Sequence, residues 1–352
     1  MKKLIAIAVL AAISASAGAA EIYNKDGNKV DLYGKVKGEH DFASDNNTDA
    51  TYARLGFRGE TQITSGLTGF GQFEHHFDAS SAEGSQTDKT RLAFAGIDAG
   101  EYGSVDYGRN YGVVYDIGGY ADTLPEFGGD SYQGTDNFMT GRSTGLLTYR
   151  NTKLVDGLAV GVQYQGENQD RSDWSKTNGK GVGASLQYTI ADDYTIGAAY
   201  AHGEASTAKD KQGYSYANGD AEVWTVGAKY DANSIYLATT YAETRNLTPA
   251  KVKLAGTEYG AFADKTKNFE ATAAYVFDFG LRPSVAYVQS RATIDGLGSE
   301  DIVKYATVGA SYNFNKNFAV DAAYKFNLVR DELSQYGIAT DDQVIVGATY
   351  QF

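Results

Sequence analysis

The sequence predicts an all-β protein, a 16-stranded antiparallel transmembrane β-barrel with its long third surface loop folded inward. Apolar and polar residues alternate with a period of two along the chain, which is the strand signal. The alternating segments are joined by short and long links in turn, as in barrels that cross a membrane with strands. After the N-terminal leader, no stretch approaches the about 18 apolar residues that a membrane helix needs.

The first 19 residues have the order of an export signal. A positive start is followed by an apolar stretch over 4–13, and Ala17 and Ala19 form an A-x-A cleavage site. A membrane anchor is the alternative, but ten helical residues span only about 15 Å of a roughly 30 Å bilayer core. We therefore expect a signal peptide at 1–19 and a single barrel domain over 20–352, because a closed barrel cannot be divided.

The composition favours strands and tight turns. The chain has 27 Tyr, 16 Phe and 41 Gly but only three Pro and no Cys, so no disulfide framework exists. The net charge of −13 argues against nucleic-acid binding, which needs a basic face. It is compatible with a cation-favouring lumen, with a surface that meets divalent cations and lipopolysaccharide, or with plain solubility.

Sixteen alternating segments can be counted. In one of them Val182, Leu186 and Ile190 share one face, while Ser185 and its polar neighbours take the other. The segments start near Val30, Thr51, Leu67, Thr90, Gly103, Ser143, Leu158, Gly179, Tyr194, Asp220, Ser234, Lys265, Leu281, Asp301, Phe318 and Asp341. A soluble β-sandwich would also alternate, but it would not normally run to sixteen hairpin-linked strands. In lipid every backbone group must be paired internally, so the strands are expected to close into a barrel.

The same alternation predicts which side chains face the lumen. If Val36 faces lipid, Lys35 and Lys37 face inward; Leu92 and Phe94 are expected on the lipid side. The basic residues that this assignment places inside, on four early strands, include Lys35, Arg54, Arg91 and Arg142, together with Lys37, Arg58 and Arg150. The assignment is favoured because an Arg on the lipid face costs about 2 to 4 kcal/mol at the bilayer midplane.

The segment 113–142 is too long for an ordinary hairpin loop and strongly acidic. Loops of this length are usually functional or disordered, and the aromatic residues here argue against disorder. It contains a turn-forming stretch over 124–129. Folded into a lumen lined by Arg, such a loop would set carboxylates against guanidinium groups.

Arg109 shares its parity with Val105 and Tyr107, which places a charge on the outer face of its strand. A charge there needs a partner other than lipid, and a neighbouring subunit could supply it.

Motifs for chemistry are missing. His75 and His76 are adjacent in a strand and point to opposite faces, so they cannot chelate one ion. No Cys, no G-x-S-x-G and no phosphate-binding loop occurs. We expect no enzymatic activity, no metal site and no cofactor.

Six blocks of the chain resemble the general porins of enteric bacteria, the OmpC, OmpF and PhoE group. They are 20–35 (AEIYNKDGNKVDLYGK), 51–57 (TYARLGF), 90–96 (TRLAFAG), 106–116 (DYGRNYGVVYD), 124–130 (LPEFGGD) and the terminal YQF. The resemblance implies a trimer of barrels in the bacterial outer membrane, each a passive diffusion channel for ions and small hydrophilic solutes. It also implies that the third loop forms a constriction.

Matched residue by residue, the resemblance implies roles for particular side chains. The constriction would have a basic side of Lys35, Arg54, Arg91 and Arg142, and an acidic side of Asp122, Glu126, Asp130 and nearby Glu74. Glu83 would latch onto Arg109 of a neighbouring subunit, and Phe352 would be the signal read by the barrel-assembly machinery. Gly141 stands where the phosphate-preferring member has Lys, so we expect a weak preference for cations.

Other functions stay open at this point. A sugar-specific channel would favour eighteen strands and an aromatic path along the lumen, whereas the inward positions here are mostly charged or small. A barrel protease or lipase would hydrolyse peptides or esters. A receptor role is compatible with the channel, since long surface loops are sites of phage and antibody contact.

Overall fold

The computed structural model describes residues 19–43, 47–169, 173–209, 213, 215–254, 257–294 and 298–352. The predicted signal peptide therefore lies, apart from its last residue, outside the described residues. Within the described residues, no helix combines the length and apolar character needed to cross a membrane.

Sixteen long antiparallel strands close into one barrel, which confirms the predicted fold class and strand number. The barrel strands are β2 (Asn28–Ala43), β4 (Tyr52–Thr64), β5 (Leu67–Asp78), β6 (Lys89–Asp98), β7 (Ser104–Tyr111), β8 (Arg142–Asn151), β9 (Leu158–Gln165), β10 (Gly181–Ile190), β11 (Tyr194–Gly203), β12 (Ala221–Ala232), β13 (Ile235–Arg245), β16 (Lys265–Tyr275), β17 (Leu281–Ile294), β18 (Gly298–Asn313), β19 (Phe318–Asn327) and β20 (Gln343–Gln351).

The remaining elements are short and lie before the barrel or in its links. They are β1 (Ala20–Lys25), β3 (Asn47–Asp49), the hairpin β14 (Pro249–Leu254) and β15 (Thr257–Phe262), the one-turn helix α1 (Tyr115–Gly118), and 3₁₀ turns at Gly100–Tyr102, Gln133–Thr135, Trp174–Lys176 and Asp331–Tyr336.

The two ends of the chain meet on β2. Its first half pairs with β1, and its second half pairs with β20, the last strand. Gly34 and Phe352 exchange two backbone hydrogen bonds of 3.0 Å at the junction. This pairing leaves no open strand edge, as a barrel in lipid requires.

Tight turns join the strands at one end of the barrel. Asp26-Gly27, Ala191-Asp192 and Asn233-Ser234 each place two successive residues at positive φ. Two-residue turns of that kind match the right-handed twist of the strands that they join. The links at the opposite end are the long polar ones, so the predicted alternation of link length is confirmed.

The predicted faces hold along most strands. On β10, Val182, Leu186, Tyr188 and Ile190 are exposed and Ser185 is buried. The exposed apolar residues form the outer face, and the opposite side of the sheet is the inner face.

The prediction that Leu92 and Phe94 face lipid is wrong. A bulge in β6 beside Glu74 inserts Arg91 as an extra residue, so Leu92 pairs with Glu74 and Phe94 with Gln72. Directly opposed residues share a face of the sheet. Because Glu74 and Gln72 both bond to Tyr33, Leu92 and Phe94 lie on the inner face with them. A bulge changes parity by one residue, which alternation alone does not reveal.

The main apolar cluster joins the segment 113–141 to β8 and β11–β13. Val113, Ile117, Tyr132 and Phe138 pack against small residues such as Ala201 on the inner face. A Cβ on Gly197 would lie 2.3 Å from Ile117 Cδ1, and one on Gly227 would lie 2.9 Å from Ile117 Cγ2. Glycine and alanine on these strands therefore provide the space into which the segment packs.

Candidate functional site

Two of the predicted basic residues flank one aromatic ring. Lys35 on β2 and Arg54 on β4 are direct cross-strand partners. Lys35 Nζ lies 5.2 Å, and Arg54 Cζ lies 4.8 Å, from the centre of the Tyr52 ring. A cation over an aromatic face is attracted by the ring quadrupole, so Tyr52 holds both side chains without removing their charge.

Arg91 and Arg142 lie on β6 and β8 and have different partners. Arg91 forms an ion pair with Glu74, which also accepts a 3.2 Å hydrogen bond from Tyr33 Oη. Arg142 stacks on Tyr111 at 5.6 Å and donates to Tyr111 Oη at 3.3 Å. The structure thus places these two on the inner side of the sheet, with Glu74 among the basic residues.

Three of the four basic side chains contact no carboxylate in the described part of the chain. Among the described residues, no Asp or Glu oxygen lies within 4.0 Å of a charged nitrogen of Lys35, Arg54 or Arg142. The basic row, defined here as Lys35, Arg54, Arg91 and Arg142, therefore carries positive charge that is largely uncompensated at contact distance.

The three predicted loop carboxylates each have a hydrogen-bond donor. Asp122 accepts from Tyr115 Oη at 2.6 Å, and Asp130 accepts from Tyr305 Oη at 2.7 Å. Glu126 contacts the ammonium group of Lys37. These donors order the acidic groups, and two of them, Lys37 and Tyr305, lie on barrel strands.

A continuous chain of contacts joins the basic row to the acidic loop. Arg142 binds Tyr111, the Tyr111 ring stacks on Tyr115 at 4.7 Å, and Tyr115 donates to Asp122. One stacked pair of tyrosines therefore separates a guanidinium from a carboxylate. The arrangement sets opposite charges close together without letting them neutralise one another by direct contact.

Further hydrogen bonds fix the segment 113–141 to strands around the barrel. Arg150 and Ser185 donate to Asp116 at 2.6 and 2.7 Å. Tyr132 Oη lies 3.1 Å from Thr225, and Ser131 contacts Glu270. Bonds on β8, β10, β12 and β16 hold the segment in one position.

Sequence reasoning missed several of these partners. Alternation places Lys37 inside but indicates no role for it, and nothing in the sequence distinguishes Tyr305 or Glu270 from other polar strand residues. All are polar residues on alternating strands, so parity could have placed them inside. Parity could not have shown which of them meets the loop.

The predicted latch residues are apart in the isolated chain. Both Nη atoms of Arg109 donate to Asp136 at 2.8 Å, and Nε donates to Thr90 O at 2.8 Å. Glu83 is exposed. Arg109 therefore has a partner within its own chain that the sequence did not indicate, and its pairing with Glu83 of another subunit stays a prediction.

Phe352 ends the chain at the barrel seam. Its ring lies over Gly34, where a Cβ would come within 2.9 Å of the ring. Among the described residues, no group of His, Cys, Asp and Glu is arranged to hold a metal ion.

Fold and site together define a porin. A family model described as Gram-negative porin matches residues 25–352, and the chain belongs to that family. Outer membrane protein F of Serratia marcescens is 53% identical over the whole of both chains. The outer membrane porin protein OmpD of Salmonella typhimurium is 52% identical over 99% of each.

A solved structure is also similar. It shows OmpF of Salmonella typhi in complex with daunomycin; it has 49% identity and a TM-score of 0.86, and the match covers 95% of this chain and 100% of that one. The chain is accordingly a general porin of the bacterial outer membrane, a channel and not an enzyme.

Proposed function

We propose that the protein is a trimeric, non-specific diffusion channel whose narrowest part lies between the basic row and the segment 113–141. The chain of contacts from Arg142 through Tyr111 and Tyr115 to Asp122 carries the proposal. In this chain only the two stacked tyrosine rings separate the guanidinium group of Arg142, on the barrel wall, from the carboxylate of Asp122, in the segment 113–141.

The segment 113–141 lies inside the barrel in this proposal, as the inward third loop. Its contacts support this, because they involve inner-face residues such as Ser185, Thr225 and Tyr305. A loop in the lumen reduces the open cross-section, so solutes are selected first by size. The apolar face packed on β11–β13 leaves the acidic edge of the loop towards the basic row.

The pore weakly prefers cations in this proposal. The net charge is −13 and becomes more negative when Lys2 and Lys3 leave with the signal peptide. Gly141 supports the same sign, because a Cβ there would lie 2.0 Å from Gln133 O and leaves no room for a lysine. The preference is weak because the basic row opposes the loop carboxylates at short range.

The remaining expected partners follow from the same proposal. Export would remove residues 1–19, and the mass of protein isolated from outer membranes tests that cleavage. The barrel-assembly machinery would read Phe352, the outer surface would contact lipopolysaccharide, and the long loops would be open to phage and antibody.

Planar-bilayer recording of the purified protein tests the function. We expect conductance to appear in units of three and the reversal potential in a KCl gradient to have the sign of a weakly cation-selective pore. Addition of mono- and disaccharides should not block the current at low concentration, as it would in a sugar-specific channel. Insertion without conductance, or a block by one sugar, would overturn the proposal.

A further inference from the structure

Lys37 lies at the centre of a buried charged cluster between the barrel wall and the segment 113–141. Its Nζ contacts Glu126, lies 3.1 Å from Glu39 Oε2 and lies 3.5 Å from Asp321 Oδ2. The side chains of Lys37, Glu126 and Asp321 are 3%, 4% and 6% exposed. We call Lys37, Glu39, Glu126 and Asp321 the lysine cluster.

The barrel is shaped to receive this lysine. A Cβ on Gly347 of β20 would lie 2.6 Å from Lys37 Cε and 3.0 Å from Asp321 Oδ2. Gly347 pairs with Glu39 on one side and with Asp321 on the other. The glycine thus provides the space in which the lysine stem crosses from β2 towards β19.

The residue after Glu126 is docked beside the lysine cluster. Phe127 packs against Val288, Tyr305 and Ile345, and Lys325 Nζ lies 5.2 Å from the centre of its ring. The chain then turns through Gly128 and Gly129, both at positive φ. The tip of the segment, residues 124–129, is therefore held on β2 and β17–β20 by one buried cation and one apolar side chain.

We propose that Lys37 is the positioning residue that fixes this tip, and that it thereby sets the width of the pore and keeps that width constant. The inference rests on the proposed function, in which the segment 113–141 narrows the lumen. Its physical basis is that Lys37 is the one cation in the lysine cluster, shared by two wall carboxylates and one loop carboxylate. Without it, three acidic groups would repel one another at the contact that holds the tip.

The test compares two lysines on one face of one strand. Lys37→Met removes the cluster's cation, while Lys35→Met removes an equal charge that contacts no carboxylate among the described residues. Both variants should move the reversal potential in a KCl gradient towards cations. Only Lys37→Met should raise the noise of the open-channel current and change the size of the largest polyethylene glycol that enters the pore.

The expected effect is large, because breaking one side of a buried ion pair changes an equilibrium by on the order of 100-fold. The equilibrium is between the docked and the undocked tip, and the fraction of time that the current spends away from its main open level is its measure. Lys37→Arg keeps a cation in place and should restore the steady open-channel current of the unaltered protein.

A double-variant cycle separates positioning from a general effect of charge. Glu126→Gln should reproduce the noisier open-channel current, and Lys37→Met with Glu126→Gln should be no more severe than either change alone. Residues that act through one contact are non-additive in this way. If Lys37→Met does not assemble, Glu126→Gln carries the test, and Lys37→Arg serves as the control that keeps the ion pair.

Two results would overturn the inference. One is that Lys37→Met and Lys35→Met have the same open-channel noise and admit the same largest polyethylene glycol. The other is that the effects of Lys37→Met and Glu126→Gln simply add. Both leave conduction by the unaltered protein intact, so they are distinct from a failure of the proposed function, which would appear as the absence of conductance.

Discussion

Neutralising Asp122 and Asp130 tests whether the acidic edge of the loop faces the permeating ions. In Asp122→Asn with Asp130→Asn, each amide keeps an oxygen that still accepts the hydrogen bond from Tyr115 or Tyr305. The loop should therefore stay in place while two negative charges are lost. Glu126 is left unchanged because its contact with Lys37 also positions the tip.

The magnitude follows from Coulomb's law. A unit charge about 10 Å from an ion in water-like dielectric contributes roughly 0.4 kcal/mol, or about twofold in occupancy. Physiological salt screens charges beyond about 8 Å, which lowers the contribution of each carboxylate. The cation-to-anion permeability ratio should thus fall by a factor between about 1.5 and 4.

Reversal potentials in a KCl gradient measure this ratio. The matched control is Asp331→Asn with Glu332→Gln, which removes the same charge from an exposed surface loop. The control should have a smaller effect, and the effect of the loop variant should shrink at about 1 M salt, where the screening length is about 3 Å. If the loop variant keeps the original ratio, the segment 113–141 does not line the narrowest part, and the assignment of the acidic side fails.

Two further predictions concern assembly. Arg109→Ala should lower the temperature at which the assembled protein dissociates on gels run without boiling, because it removes a partly exposed ion pair that contributes roughly 1 kcal/mol. Asp136→Asn should match it if the intrachain pair is responsible, and Glu83→Gln should match it if the latch is. No change in any variant would refute both. Phe352→Ala should slow the appearance of heat-resistant barrels in cells, because the ring covers Gly34 at the seam. The control Phe318→Ala, on the outer face, should assemble at the normal rate. Equal rates of assembly for the two variants would exclude a special role for the terminal ring.

The barrel could be predicted because its periodicity is physical and local. Lipid outside and water inside force a period of two on each strand, and short turns fix the order of the strands. The sixteen predicted starts fall within a few residues of the observed ones, as for Leu67 and Phe318. The failure at Leu92 and Phe94 has one cause, the bulge at Arg91, which shifts parity without any sequence signal such as glycine.

The site was less predictable because parity gives the side of a residue but not its partner. Lys37 and Lys35 are equivalent by alternation, yet Lys37 is buried against three carboxylates and Lys35 is half-buried beside Tyr52. The difference depends on where the tip of a loop about 90 residues away comes to rest, a contact of high sequence separation. Arg109 shows the same limit, because its partner Asp136 lies in that segment too.

The pairing of Lys35 with Arg54 links the sequence to the function most directly. Like charges directly opposite on neighbouring strands destabilise a sheet, and a pair of this kind has no place in a structure selected for stability alone. Tyr52 stabilises the two cations only in part, and no described carboxylate contacts either of them. Local rules are broken mainly at functional sites, where the compensation comes from elsewhere. Here the compensation is long-range attraction to an acidic segment, which is held in place by its own tyrosines and by Lys37. The least favourable cross-strand pair therefore marks the place where the two charged sides of the pore act on passing ions.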